Sequence, residues 1–77
     1  MTTPLHPGYD VDNIFTYHPP HDDQPQRYQG LREEAKGLAS RMLRDCPPSR
    51  ERLLALTKLE EAIFWANASI ARNEADQ

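Results

Sequence analysis

The 77-residue sequence has a single cysteine, Cys46, so it contains no internal disulfide, and one thiol with two methionines is no framework for a metal cluster. It has no stretch near the roughly 20 apolar residues that span a bilayer. Its start, Met1-Thr2-Thr3-Pro4, lacks the basic and apolar regions of a secretory signal, and the expectation is a chain that stays in the cytosol where it is made. Apolar residues are also scarce, 38 % of the chain, against about 45 to 50 % in ordinary globular domains. A chain of this length is at most one small domain and can bury only a modest core. With disulfides, metal and a large core all lacking, oligomerisation is the remaining source of stability.

Basic residues are missing from one part only. Residues 1 to 25 hold no Lys or Arg but carry Asp10, Asp12, Asp22 and Asp23, whereas all nine basic residues follow. The same stretch holds five of the seven prolines and all three histidines. It reads as a helix-hostile, extended arm over residues 1–22, followed by a proline-poor hairpin over residues 23–77.

Beyond Asp23 the apolar residues Tyr28, Leu31, Ala35, Leu38 and Met42 recur at 3, 4, 3 and 4, the seam of a helix packed along its length. Asp23 is the expected cap, with Pro25 in the first turn and Gln26 three positions on. Pro47 and Pro48 stop this helix near Cys46, and Ser49 caps a second one. That helix repeats the spacing with Leu56, Leu59, Ile63, Ala66 and Ile70, running to about Asn73. The short connection makes the two antiparallel, an all-α hairpin. One seam per helix leaves Leu54, Phe64, Trp65 and Ala68 over, for a partner copy or for the arm to cover. Gly30 and Gly37, two turns apart, allow close approach by a neighbour or are tolerated surface glycines.

In such a hairpin the start of the first helix lies beside the end of the second. Arg27, Arg32, Lys36, Asn67, Arg72 and Asn73 therefore gather toward the open end, where the arm attaches. Arg32 and Lys36 are like charges four apart, a strain that an anionic ligand relieves; the alternative is a solvated face. Phe15 and Tyr17, two apart in an extended arm, project to one side, so that one anchors the arm and the other stacks on a planar ligand, or both pin the arm. His18, His21, Asp22 and Asp23 lack a metal-ligand spacing, and no metal or cofactor is expected. Cys46 reads as a buried or structural thiol, and no catalytic constellation assembles.

Four separated blocks carry a resemblance. Ile14-Phe15-Thr16-Tyr17-His18-Pro19, the run Gln24 to Arg32, Cys46-Pro47-Pro48-Ser49-Arg50-Glu51, and Leu59 to Asn73 with its Ile63-Phe64-Trp65-Ala66-Asn67-Ala68 centre, together resemble the small phage anti-CBASS cyclic-oligonucleotide sponges (anti-CBASS protein two), whose helical hairpin also occurs in a phage anti-Thoeris sponge. The likeness spans residues 14 to 74. It implies a helical homohexamer in the cytoplasm of the infected bacterial host, which sequesters cyclic nucleotide messengers without cleaving them. Cyclic dinucleotides such as 3′,3′-cyclic GMP-AMP would lie between protomers, with Tyr17 stacking on a base and Arg32 meeting phosphate, and Phe15, His18 and Lys36 nearby. Cyclic trinucleotides such as cyclic tri-adenylate would take separate threefold sites, with Arg72, Asn67 and Asn73 as candidates. Residues 1 to 13 lack a counterpart in this likeness; Phe64 stands where methionine is expected, and Arg32 where lysine is. The competing reading is a small helical adaptor whose Trp65 face recruits a host protein, or a nucleic-acid-binding protein, although a net charge of −3 and a pI near 5.5 disfavour DNA.

Overall fold

The computed structural model describes residues 8–74, and these residues form three helices: α1 (Val11–Ile14), α2 (Gln24–Asp45) and α3 (Arg50–Asn73). The two long helices have 22 and 24 residues and pack against each other as an antiparallel hairpin. At about 1.5 Å per residue each is more than 30 Å long.

The closed end is built by capping chemistry. Cys46 ends α2 in extended geometry, its N–H donating to the Met42 carbonyl at 2.9 Å. Ser49 Oγ then accepts from the Arg52 N–H at 3.0 Å, as a helix N-cap does. The Arg52 guanidinium reaches back to the carbonyls of Leu43 at 3.3 Å and Cys46 at 3.1 Å, placing a cation on the negative end of α2. Cys46 itself is exposed rather than buried, because it sits at the tip of the turn.

At the open end the start of α2 departs from expectation. Asp23 occupies the N-cap position, but its side chain makes no capping hydrogen bond. Its carboxylate instead pairs with Arg27 at 3.0 Å, one turn along. Gln24, which is 2 % exposed, ties the preceding turn to the helix: its Oε1 accepts from the His21 N–H at 3.2 Å, and its own N–H donates to the His21 carbonyl at 3.0 Å. Asp22 makes the turn into α2 at φ 51, a left-handed conformation that Asp and Asn tolerate best among residues with a Cβ.

Gln24 and Arg27 also fasten the far end of α3. Glu74 accepts from Gln24 Nε2 at 2.8 Å and from both terminal nitrogens of Arg27 at 2.7 and 2.6 Å. These bonds, those from Arg27 first, hold the Glu74 carboxyl down at about 2 from its ordinary 4.5, and Arg27 is raised in return. Because the folded-state value is the lower one, this clamp contributes fully above about pH 4.5 and is lost as pH falls toward 2. The thermal midpoint is expected to fall across that window, and Glu74→Gln to flatten the fall. A midpoint equally steep in the variant would remove Glu74 as the cause.

The seam positions of α3 are all half-buried, as are Tyr28, Leu31, Ala35 and Met42 of α2. Leu38 is not: it is 47 % exposed, and Ala39 faces α3 in its place. At about 3.6 residues per turn the line of contact from Tyr28 falls nearer position 39 than 38 on its third turn, and Met42 follows on the next.

The arm is not extended throughout. Asp10 Oδ1 accepts from the Asn13 N–H at 3.2 Å and caps the single turn α1, with Asp12 in its first turn and Phe15 at its C-cap. Thr16 Oγ1 donates to the Asp12 carbonyl. Proline punctuation marked the arm as helix-hostile, but none of these residues is a proline, and a capped acidic turn fits between Pro7 and Pro19.

Among the described residues no apolar side chain is buried. Phe64 and Trp65 are each 62 % exposed, so the arm does not cover them, and Leu53 and Leu54 are exposed as well. A β-carbon added to Gly30 or Gly37 would meet nothing within 4 Å, so nothing in the chain itself requires glycine there.

Candidate functional site

The arm, α2 and α3 meet at the open end in a cleft of about 430 Å³. The arm supplies Ile14, Thr16, Tyr17 and His18, α2 supplies Tyr28 and Arg32, and α3 supplies Asn67, Ala68, Ala71 and Arg72. Small residues on α3 are what give the cleft its depth, since Ala68 and Ala71 leave room between the arm and α2. A second groove of about 320 Å³ adjoins it, sharing Arg32 and Asn67 and adding Lys36, Glu60 and Phe64.

The sequence-derived candidates divide accordingly. Tyr17, His18, Arg32, Asn67 and Arg72 share the cleft, and Lys36 joins Arg32 and Asn67 in the adjoining groove. Phe15 and Asn73 line neither. Phe15 is 75 % exposed beside α1, and Asn73 Nδ2 donates to the Ser69 carbonyl of its own helix at 2.9 Å. Tyr17 is 79 % exposed, so neither ring anchors the arm, and the pairing of one anchor with one stacking ring does not hold. The arm is held by Asn13 instead, whose Nδ2 donates to the Arg72 carbonyl at 2.9 Å. His18 Nε2 donates to the Asn13 carbonyl at 2.7 Å, which makes the Nε2-protonated form the one present when the ring is neutral.

Charge pairing divides the cations of the surface into two groups. Arg27, Arg41, Arg44 and Lys58 all have carboxylate partners, and Arg52 is spent on carbonyls. Among the described residues, Arg32, Lys36, Arg50 and Arg72 have no such partner; Arg50 opens α3 at the closed end, and the other three line the cleft and its adjoining groove. Three unneutralised cations on neighbouring turns repel one another and attract an anion, with arginine suited to bidentate contact with phosphate. Asn67 lies between the two grooves, and its buried side-chain oxygen has no hydrogen-bond partner. A buried acceptor left open is costly unless a donor arrives from elsewhere. The exposed Tyr17 ring, above these groups, offers a stacking face.

Sequence reasoning missed Asn13 and Tyr28 as parts of the site. Tyr28 was assigned wholly to the seam, although a side chain at the seam's end also walls the cleft. Asn13 carried no signal, because its partner is a backbone carbonyl 59 residues away.

Among the described residues no group of three His, Cys, Asp or Glu side chains could hold a metal ion; His6 lies outside them. Among the described residues no helix is long and apolar enough to cross a membrane.

No curated protein and no solved structure matches the chain significantly. One family does, described as the Acb2/Tad1 hairpin domain, over residues 9–71. The match takes in more than four-fifths of the chain and starts at Tyr9, five residues before the sequence resemblance began, so α1 lies within the family domain. It includes both long helices up to Ala71 and the arm that closes the cleft. The chain belongs to the Acb2/Tad1 hairpin family, a family of sponges that bind rather than turn over their ligands.

Proposed function

We infer that this protein is a phage-encoded sponge that binds cyclic dinucleotides such as 3′,3′-cyclic GMP-AMP, and holds them uncleaved, in the cytoplasm of the infected bacterial host. Sequestering the messenger would starve the effector of a CBASS-type defence. The observation that carries this reading is the cleft with its adjoining groove, which together gather three cations without carboxylate partners and an exposed tyrosine.

The chemistry of such a ligand fits that set. Arg32 meets a phosphate, Tyr17 stacks on a base, and Lys36 and His18 stand close by; a base or ribose donor would satisfy the Asn67 oxygen. We read the set as one that binds its ligand and does not cleave it.

Assembly completes the pocket. A chain whose described residues bury no apolar side chain and expose two aromatic rings on α3 stabilises itself by association. A twofold interface would bring two copies of Tyr17 and Arg32 together, matching a ring that carries two bases and two phosphates. We assign the arm to residues 1–22 and the assembling hairpin to residues 23–77, in a homohexamer. Cyclic trinucleotides such as cyclic tri-adenylate would occupy separate threefold sites through Arg72, with Asn67 and Asn73. Phe15 would contribute from the arm to a neighbouring copy's pocket rather than to its own cleft.

Calorimetric titration with 3′,3′-cyclic GMP-AMP, followed by denaturation and recovery of the nucleotide, tests this. Saturable binding with the nucleotide recovered intact is expected. Recovery of a linear dinucleotide would replace the sponge with a hydrolase, and no binding would end the reading.

A further inference from the structure

The geometry points to Asn13 as the positioning residue of the cleft: it latches the arm onto the Arg72 carbonyl and so holds Tyr17 and His18 over Arg32. The inference rests on the proposed reading of this cleft, but the latch is testable without ligand.

Three bonds converge on Asn13. Its N–H donates to Asp10 Oδ1 at 3.2 Å, its carbonyl accepts from His18 Nε2 at 2.7 Å, and its side-chain Nδ2 donates to the Arg72 carbonyl at 2.9 Å. The first two are internal to the arm and make the stretch from Asp10 to His18 one folded unit. The third is the tie to the hairpin. Arg72 lies in the last turn of α3, where carbonyls have no partner within the helix, so the acceptor is available for a side chain from elsewhere. Among the described residues 8–20, Asn13 alone hydrogen-bonds to the hairpin. The arm's two large rings cannot replace it, since Phe15 and Tyr17 are 75 % and 79 % exposed.

The consequence is geometric. Tyr17 reaches a ligand from a segment that carries its own capped turn and one external bond. Without that bond, the arm samples positions in which Tyr17 and His18 are away from Arg32, and apparent affinity falls with the fraction of chains in the competent position. Asn13 does not touch the ligand; it acts through Tyr17.

Two substitutions remove the donor, Asn13→Leu with similar bulk and Asn13→Asp with similar shape, and neither touches the Gln24–Glu74–Arg27 clamp that closes the hairpin. Helical circular dichroism should be unchanged in both. In the ligand-free protein, chymotryptic cleavage after Phe15 and Tyr17, read by intact mass, is expected to accelerate about tenfold, the factor one net hydrogen bond commands. Affinity for 3′,3′-cyclic GMP-AMP is expected to fall by about the same factor in the wild-type background, but by less than about twofold when Tyr17 is already alanine. Unchanged cleavage in both variants would overturn the latch. Losses that multiply fully with Tyr17→Ala would overturn its action through Tyr17. Failure of the wild-type chain to bind this nucleotide would strike the sponge reading instead, and the cleavage rates would still decide whether Asn13 holds the arm.

Discussion

Tyr17→Ala is expected to weaken cyclic dinucleotide binding by about 5- to 150-fold while leaving the oligomer and its helicity intact. The magnitude is that of one lost base stack, about 1 to 3 kcal/mol, at about 1.4 kcal/mol per tenfold. Tyr17 belongs at the upper part of this range for two reasons. Its ring is 79 % exposed, so almost all of its face is available to a ligand and little of it is committed to packing within the chain. In a twofold site each ligand would meet two copies, so one substitution removes two stacks. Exposure also explains why the fold should tolerate the change: no core loses a side chain. Tyr17→Phe should restore most of the affinity, since a stack needs the ring and not the hydroxyl. Isothermal titration of the three proteins measures this. Equal affinity for Tyr17→Ala and wild type would place the ligand elsewhere.

Trp65→Glu is expected to dissociate the assembly and to unfold the chain in the same step. In an ordinary small domain an exposed surface substitution costs within about 0.5 kcal/mol. Here Trp65 and its neighbour Phe64 are each 62 % exposed in a chain whose described residues bury no apolar side chain at all. Large aromatic residues at a protein interface are typical hot spots, each worth about 2 kcal/mol or more when truncated, and a charge in their place adds a desolvation cost. Since folding and association draw on the same surface, the thermal midpoint of the wild type should rise with protein concentration, as it does for obligate oligomers. Sedimentation and circular dichroism on Trp65→Glu test the coupling. A monomer that keeps wild-type helicity would show that the hairpin is stable alone and that Trp65 serves some other contact.

The hairpin was legible in the sequence because its signals are local and periodic. The 3-4 spacing, the double proline after Cys46 and Ser49 before Arg50 set two helices and their turn within a residue or so of where they lie. The errors fall where a competing contact outranks a local rule. Asp23 gives up its cap to pair with Arg27, Gln24 is buried between His21 and Glu74, and Leu38 leaves the seam through the helical repeat. The site was legible in part. Arg32, Asn67 and Arg72 follow from helix geometry alone, since an antiparallel hairpin must bring the start of α2 beside the end of α3. The arm does not follow, because its course is set by a side chain and a backbone carbonyl with no spacing to betray them. The absent carboxylate partners of Arg32, Lys36 and Arg72 could not be read from composition either: a net charge of −3 hides a cationic cleft.

On the proposed function, copies of this chain assemble to make pockets that hold a cyclic nucleotide intact. Native mass spectrometry with and without 3′,3′-cyclic GMP-AMP reads both the assembly and its cargo. A homohexamer is expected in both spectra, shifted on addition by one unmodified nucleotide mass for each pair of protomers. A monomer that binds nothing, or an oligomer whose mass is unchanged by the nucleotide, would overturn the sponge.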